Sequence, residues 1–181
     1  MGPLSNPLTV DDFARYAHCC SILEDAVARA YRRMALLTVE KEVKPLLLSI
    51  AYDSFKHSKV LREIAKSLST KAKVDLEACR EQMGEVWRKI VESATVMAFR
   101  KEKIRPEELL SVIESMKDVE GFAGEEYLML INSRILQLAS RKSERGLELY
   151  KATLELIAED EERHKSILMK IKEVLTNEKS R

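Results

Sequence analysis

From Tyr150 to Leu175 the chain sets Tyr150, Leu154, Ile157, Glu161, His164, Leu168, Ile171 and Leu175 at steps of three and four residues. That spacing places all of them on one face of a single long helix, and such a stripe must be buried against other elements. Two members, Glu161 and His164, are ionisable and stand in its middle. Three residues apart on a helix, they can reach the same point. A buried, unpaired carboxylate is costly, so a cation, a proton or a metal ion is expected opposite them. Whatever fold this chain adopts must enclose that stripe and answer its charge.

Other segments repeat the pattern. Thr9 and Asp12 form a capping-box signature, with Asp in place of Glu, that starts a helix near Val10 and carries it to about residue 40. Its stripe is Phe13, Ala17, Cys20, Glu24, Val27, Tyr31 and Met34, with Glu24 alone among apolar neighbours. Pro45 suits the first turn of a second helix, expected over 45–68. Here the stripe is Leu47, Ile50, Ser54, His57, Leu61, Ile64 and Leu68, with Asp53 one step aside. A helix near 75–103 runs through Cys79, Met83, Val86, Ile90, Ala94 and Met97 without an ionisable seam residue, and is expected to serve packing. Pro106 opens the next helix, expected over 107–140, either continuous or restarted around Gly121 and Gly124; each glycine costs about 1 kcal/mol relative to alanine. Its second half places Glu125 among Phe122, Leu128, Met129 and Asn132. The closing helix is expected over 144–176.

Composition agrees with a helical chain. Only 5 Gly and 4 Pro occur in 181 residues, too few turn formers for a sheet-rich fold. A net charge of +1 gives no support for a nucleic-acid or membrane-surface partner. No apolar run reaches the roughly 18 residues of a spanning helix, and Met1 to Val10 lacks a signal-peptide core, so a cytoplasmic location is expected. Cys19, Cys20 and Cys79 make neither a disulfide framework nor a zinc knuckle. Two Gln and three Asn against 61 charged residues is a bias met in thermophile proteins. His18 falls off the stripe and is expected in solvent.

In an antiparallel bundle, mid-helix positions fall in one layer, so these carboxylates and imidazoles would meet there. Carboxylate and imidazole donors suit iron or manganese. The chain resembles the rubrerythrin branch of the ferritin-like superfamily. Glu24-Asp-Ala-Val-Ala-Arg-Ala-Tyr31 is similar to its first-helix Glu followed seven residues later by Tyr. Ala123-Gly-Glu-Glu-Tyr127 is similar to its third-helix motif, and Ala158-Glu-Asp-Glu-Glu-Arg-His164 to its fourth-helix Glu-x-x-His.

The resemblance implies an all-α, ferritin-like four-helix bundle with one or two added helices between the second and third. It further implies one or two ions of iron, or manganese, held by Glu24, His57, Glu125, Glu161 and His164, with Asp53, Ser54 and Tyr31 as auxiliaries. Peroxide or oxygen chemistry, a homodimer and a separate electron donor follow from it, since no rubredoxin-like Cys-x-x-Cys pair is present. The chain departs from the family at Ser54-Phe-Lys-His57, where Glu-x-x-His is expected, and at Leu128, where a further acid is expected. With Glu24, Glu125 and Glu161 as the carboxylates, two divalent ions leave a charge of +1 and one leaves −1. A hydroxide, or Asp53 swinging in, would restore neutrality. Two other readings stand beside this one: a degenerate bundle acting as a structural or interaction module, and iron storage in a hollow assembly.

Overall fold

The computed structural model describes residues 9–132 and 144–178, with side chains at 9–124 and 148–177. Among them the chain is all-helical: α1 (Val10–Leu37), α2 (Lys44–Leu68), α3 (Leu76–Phe99), α4 (Pro106–Asn132) and α5 (Glu144–Glu178). An isolated parallel bridge between Thr38 and Ile104 is the one piece of β-pairing among the described residues.

The helix ends follow from local chemistry. The Thr9 hydroxyl accepts from the Asp12 amide and the Asp12 carboxylate accepts from the Thr9 amide, closing the expected capping box. α1 stops at Leu37 because Thr38 turns extended to pair with Ile104. α3 stops at Phe99, earlier than expected, for the same reason: the chain must straighten through Ile104 before Pro106 opens α4. α4 passes through Gly121 and Gly124 without a break. A Cβ on Gly124 would stand in ordinary contact with the Cβ of Glu161, at 3.5 Å, so α4 lies against α5 at the level of the acid.

Helix directions can be taken from who touches whom. Lys172 pairs with Glu114 while Gly121 lies against Lys165 and Gly124 against Glu161, so α4 and α5 are antiparallel. Ser67 bonds Tyr150 while His57 bonds Asp160, so α2 and α5 are antiparallel too. α1 and α2 form a hairpin, joined by the short turn before Lys44. α2 and α4 therefore run the same way, and a chain passing from one to the other must travel back along the assembly. α3 makes that journey. It packs on α1 in parallel, with Gln82 bonded to the Asp12 carbonyl near one end and the Arg100 carbonyl accepting from Arg33 near the other.

Two expectations about α3 need correction. Cys19 and Cys79 are joined in a disulfide across a sequence separation of 60, stapling α1 to α3, and Cys20 stays free and buried. Spacing alone could not show this, because the pairing depends on which face of α1 the crossover helix covers. Val86 is exposed, and Trp87 takes the buried place, donating its indole N–H to the Cys19 carbonyl. Cys79, Met83, Trp87, Ile90 and Ala94 keep a spacing of three and four, so Trp87 continues the stripe, and Gly84, with a φ of +84°, kinks the helix between its two parts.

Candidate metal centre

The seams carry their polar residues inward as the spacing predicts. Glu24, Ser54, His57, Glu161 and His164 are all at most 2 % exposed. α1 contributes Glu24, α2 Ser54 and His57, and α5 Glu161 and His164. The α4 acid in this layer is Glu120, 1 % exposed. Glu125 belongs to α4, but its side chain lies outside the described residues. Glu120 was available to sequence reasoning by two signals. It sits on the stripe Leu109, Ile113, Met116, Glu120, Ala123, and it stands seven residues before Tyr127 as Glu24 stands before Tyr31.

Two groups of donor atoms form around a shared carboxylate. Within each, the ligating atoms lie inside 4.8 Å of one another: Glu24, His57 and Glu161 in the first, Glu120, Glu161 and His164 in the second. In the first, His57 Nδ1 is 2.9 Å from Glu161 Oε1 and 3.8 Å from Glu24 Oε2. In the second, His164 Nδ1 is 3.0 Å from Glu120 Oε2 and 3.3 Å from Glu161 Oε2. Glu161 thus faces one imidazole with each oxygen. The two rings stand 5.9 Å apart, centre to centre. These buried Glu/His groups could hold a metal ion.

The outer nitrogens are held by crossed aspartates. His57 Nε2, from α2, lies 2.9 Å from Asp160 of α5, and His164 Nε2, from α5, lies 3.4 Å from Asp53 of α2. A carboxylate on Nε2 fixes the N–H there and turns the Nδ1 lone pair inward, which is how an imidazole is set up as a ligand. Lys56 and Arg163 each bridge both aspartates, at 2.6 to 3.0 Å, and close the surface end of the site. Asp53 is therefore engaged from outside, on Nε2, and does not swing in among the inner carboxylates as the charge count had allowed. Tyr31, fully buried, donates its hydroxyl to Glu120 Oε1 at 2.5 Å and orients that carboxylate.

Burial and close charge act against each other in this cluster. Burial opposes charge on His57, but the close carboxylates of Glu161 and Glu24 outweigh it and push the imidazole up to about 10. His164 is raised to about 10 in the same way, burial being overcome by Glu120 and Glu161. Burial and the Glu161 charge push Glu120 up to about 8, against the pull of His164. Near pH 7 two imidazolium ions and a protonated Glu120 thus share the core. Burial and the neighbouring Glu24 push the Cys20 thiol well up, which keeps it protonated and removes it as a thiolate ligand. His18 is half-buried rather than solvated, bonded to the Val74 backbone, and is no part of the cluster.

Among the described residues, three buried side-chain atoms lack a hydrogen-bond partner: Ser54 Oγ, His57 Nδ1 and Glu161 Oε1. The last two are close, yet not aligned to share a proton. An orphan of this kind costs about 1–3 kcal/mol, but His57 Nδ1 and Glu161 Oε1 still meet as an ion pair at 2.9 Å, so the cost falls mainly on Ser54 Oγ. No family model matches the chain, and no curated protein or solved structure matches it either.

Proposed function

We propose that this chain is a rubrerythrin-like, ferritin-like four-helix bundle whose core binds one or two ions of iron or manganese for chemistry with peroxide or oxygen. The observation that carries the reading is the convergence of Glu24, His57, Glu120, Glu161 and His164 from four helices, with unsatisfied donor atoms turned toward one another. The donors are oxygen and imidazole nitrogen without thiolate, a set suited to iron or manganese. Glu24, His57 and Glu161 would hold one ion, and Glu120, Glu161 and His164 a second, with Glu161 shared.

A metal bound there would supply the change of oxidation state that reduces the oxidant. The chain's own residues do the rest. Asp160 and Asp53 hold the Nε2 protons so that both Nδ1 atoms remain donors. Tyr31 fixes the Glu120 carboxylate through its hydroxyl. The apolar seams exclude bulk water, which strengthens every charge interaction inside. The same reading takes the electron donor to be a separate protein and the chain to associate as a homodimer.

The test is anaerobic loading with ferrous iron followed by hydrogen peroxide. The expected result is near-ultraviolet absorption that rises faster than with free ferrous ion, and is lost in His164→Ala. Iron oxidised no faster than in buffer would overturn the reading.

One observation favours a second reading, a degenerate bundle serving as a structural or interaction module. Both imidazoles hold their protons near pH 7, so the cluster carries cations of its own opposite its acids. On that reading, replacing His57 and Glu161 together by leucine raises the melting temperature, because a buried ion pair gives way to packing. A lower melting temperature, with the difference vanishing once metal is stripped from the parent, contradicts it.

A further inference from the structure

α2 and α5 present the same local pattern to the core: Asp53, Ser54, Lys56, His57 on one, and Asp160, Glu161, Arg163, His164 on the other. The aspartates cross to the opposite imidazole and the two bases bridge the same aspartates. Three positions of the pattern are matched in chemistry, and the fourth sets Ser54 against Glu161. Each of these stands three residues before its histidine, on the same helical face.

Ser54 is also the anomaly among the buried serines. Ser21 Oγ donates to the His18 carbonyl at 2.6 Å and Ser58 Oγ to the Ser21 carbonyl at 2.8 Å. Ser54, with 0 % exposure, has no partner for its hydroxyl. A helical serine usually satisfies itself on a backbone carbonyl one turn back, so a hydroxyl that does not is free to donate elsewhere.

The charge count names what it donates to. Resting on the metal reading above, two divalent ions meet three inner carboxylates, Glu24, Glu120 and Glu161, with both imidazoles neutral as ligands. One positive charge is left over in a water-excluded core, and a single negative charge would balance it. Beyond Cβ, Glu161 continues with a methylene and a carboxylate, whereas Ser54 ends in a hydroxyl. The missing piece is about the size of acetate.

We propose that Ser54 marks a binding position for a small monocarboxylate, of the formate or acetate class, which accepts a hydrogen bond from Ser54 Oγ and completes the site opposite Glu161. Unlike a side chain, such a ligand exchanges. The site then has one fixed face, at Glu161, and one replaceable face, at Ser54.

The probe is sodium acetate added to protein loaded with cobalt(II), followed by visible absorption and by metal analysis. The expected result is a pair of cobalt ions per chain and a spectral shift that saturates at about one acetate per pair. Ser54→Glu supplies the carboxylate internally, so the pair should be retained and the acetate response lost. Ser54→Ala removes only the hydroxyl and should weaken acetate about tenfold, and it serves where the glutamate variant does not fold. An unchanged spectrum in the parent, or an equal response in Ser54→Glu or Ser54→Ala, overturns the proposal. So does a single cobalt per chain, which leaves the metal reading standing; no cobalt at all removes both.

Discussion

The two arms of the core, Asp53 to His57 on α2 and Asp160 to His164 on α5, share a pattern and differ in one decisive member. The α5 arm carries Glu161, whose two oxygens face both imidazoles. The α2 arm carries Ser54, whose buried hydroxyl has no hydrogen-bond partner. Their outer ends are nearly interchangeable, a crossed aspartate on each ring and a base spanning both aspartates. The lesson is that orientation of the ligands is provided twice, but inner charge is provided once. Loss of function should therefore be lopsided in the inner positions and balanced in the outer ones.

The largest effect is expected at the inner positions. Glu161→Ala removes the carboxylate common to both groups, and metal affinity should fall by more than about a hundredfold, beyond the loss typical of an outer-sphere change. Ser54→Ala should leave the affinity for the metal alone within about threefold, as a neutral hydroxyl adds little beside the carboxylates. Equal losses in calorimetric titration would break the comparison.

Next come the aspartates. Asp160→Asn and Asp53→Asn should each weaken metal binding about 10–100-fold by loosening the ring each one orients. Asp160 should matter more, since it stands 2.9 Å from its imidazole and Asp53 3.4 Å. A competition assay with a chromogenic chelator separates the two.

pH separates the metal-free from the loaded protein. Without metal, His57 and His164 are raised to about 10 and Glu120 to about 8. Between the ordinary imidazole value and about 10 only the folded chain keeps the histidine protons, so stability is lost as pH rises through that window. Glu120 acts with the same sign between the ordinary carboxylate value and about 8. The stripped protein should melt at falling temperatures from pH 6 to pH 9. Metal must displace those protons, so the stabilisation it adds should grow over the same range. Parallel melting curves with and without metal check both signs.

The smallest effect belongs to Tyr31→Phe. It strips the hydroxyl from Glu120 Oε1 and leaves a buried acceptor, which should cost about 1–3 kcal/mol in chemical unfolding. Metal binding should persist, because Glu120 itself remains.

Much of this core was legible in the spacing of single residues. Glu24, His57, Glu161 and His164 stand on apolar stripes, and burial of those stripes carries them inward without further information. Glu120 was less legible because the segment Ala123-Gly-Glu-Glu-Tyr127 points to the acids beyond it, although the stripe Leu109, Ile113, Met116, Glu120 carries it inward. The crossed aspartates were not legible, since Asp160 meets His57 only once α2 and α5 lie antiparallel at one register. The Cys19–Cys79 bond was hidden for a similar reason, since it depends on which face of α1 the crossover helix covers. Periodicity tells which face is buried; it does not tell what that face will meet.

The most direct measurement is the metal-to-protein ratio of the full chain, purified without chelator and again after incubation with ferrous iron or manganese(II). The account predicts about one to two equivalents per chain, falling toward zero in Glu161→Ala. Less than about a tenth of an equivalent of either metal after reconstitution would contradict it.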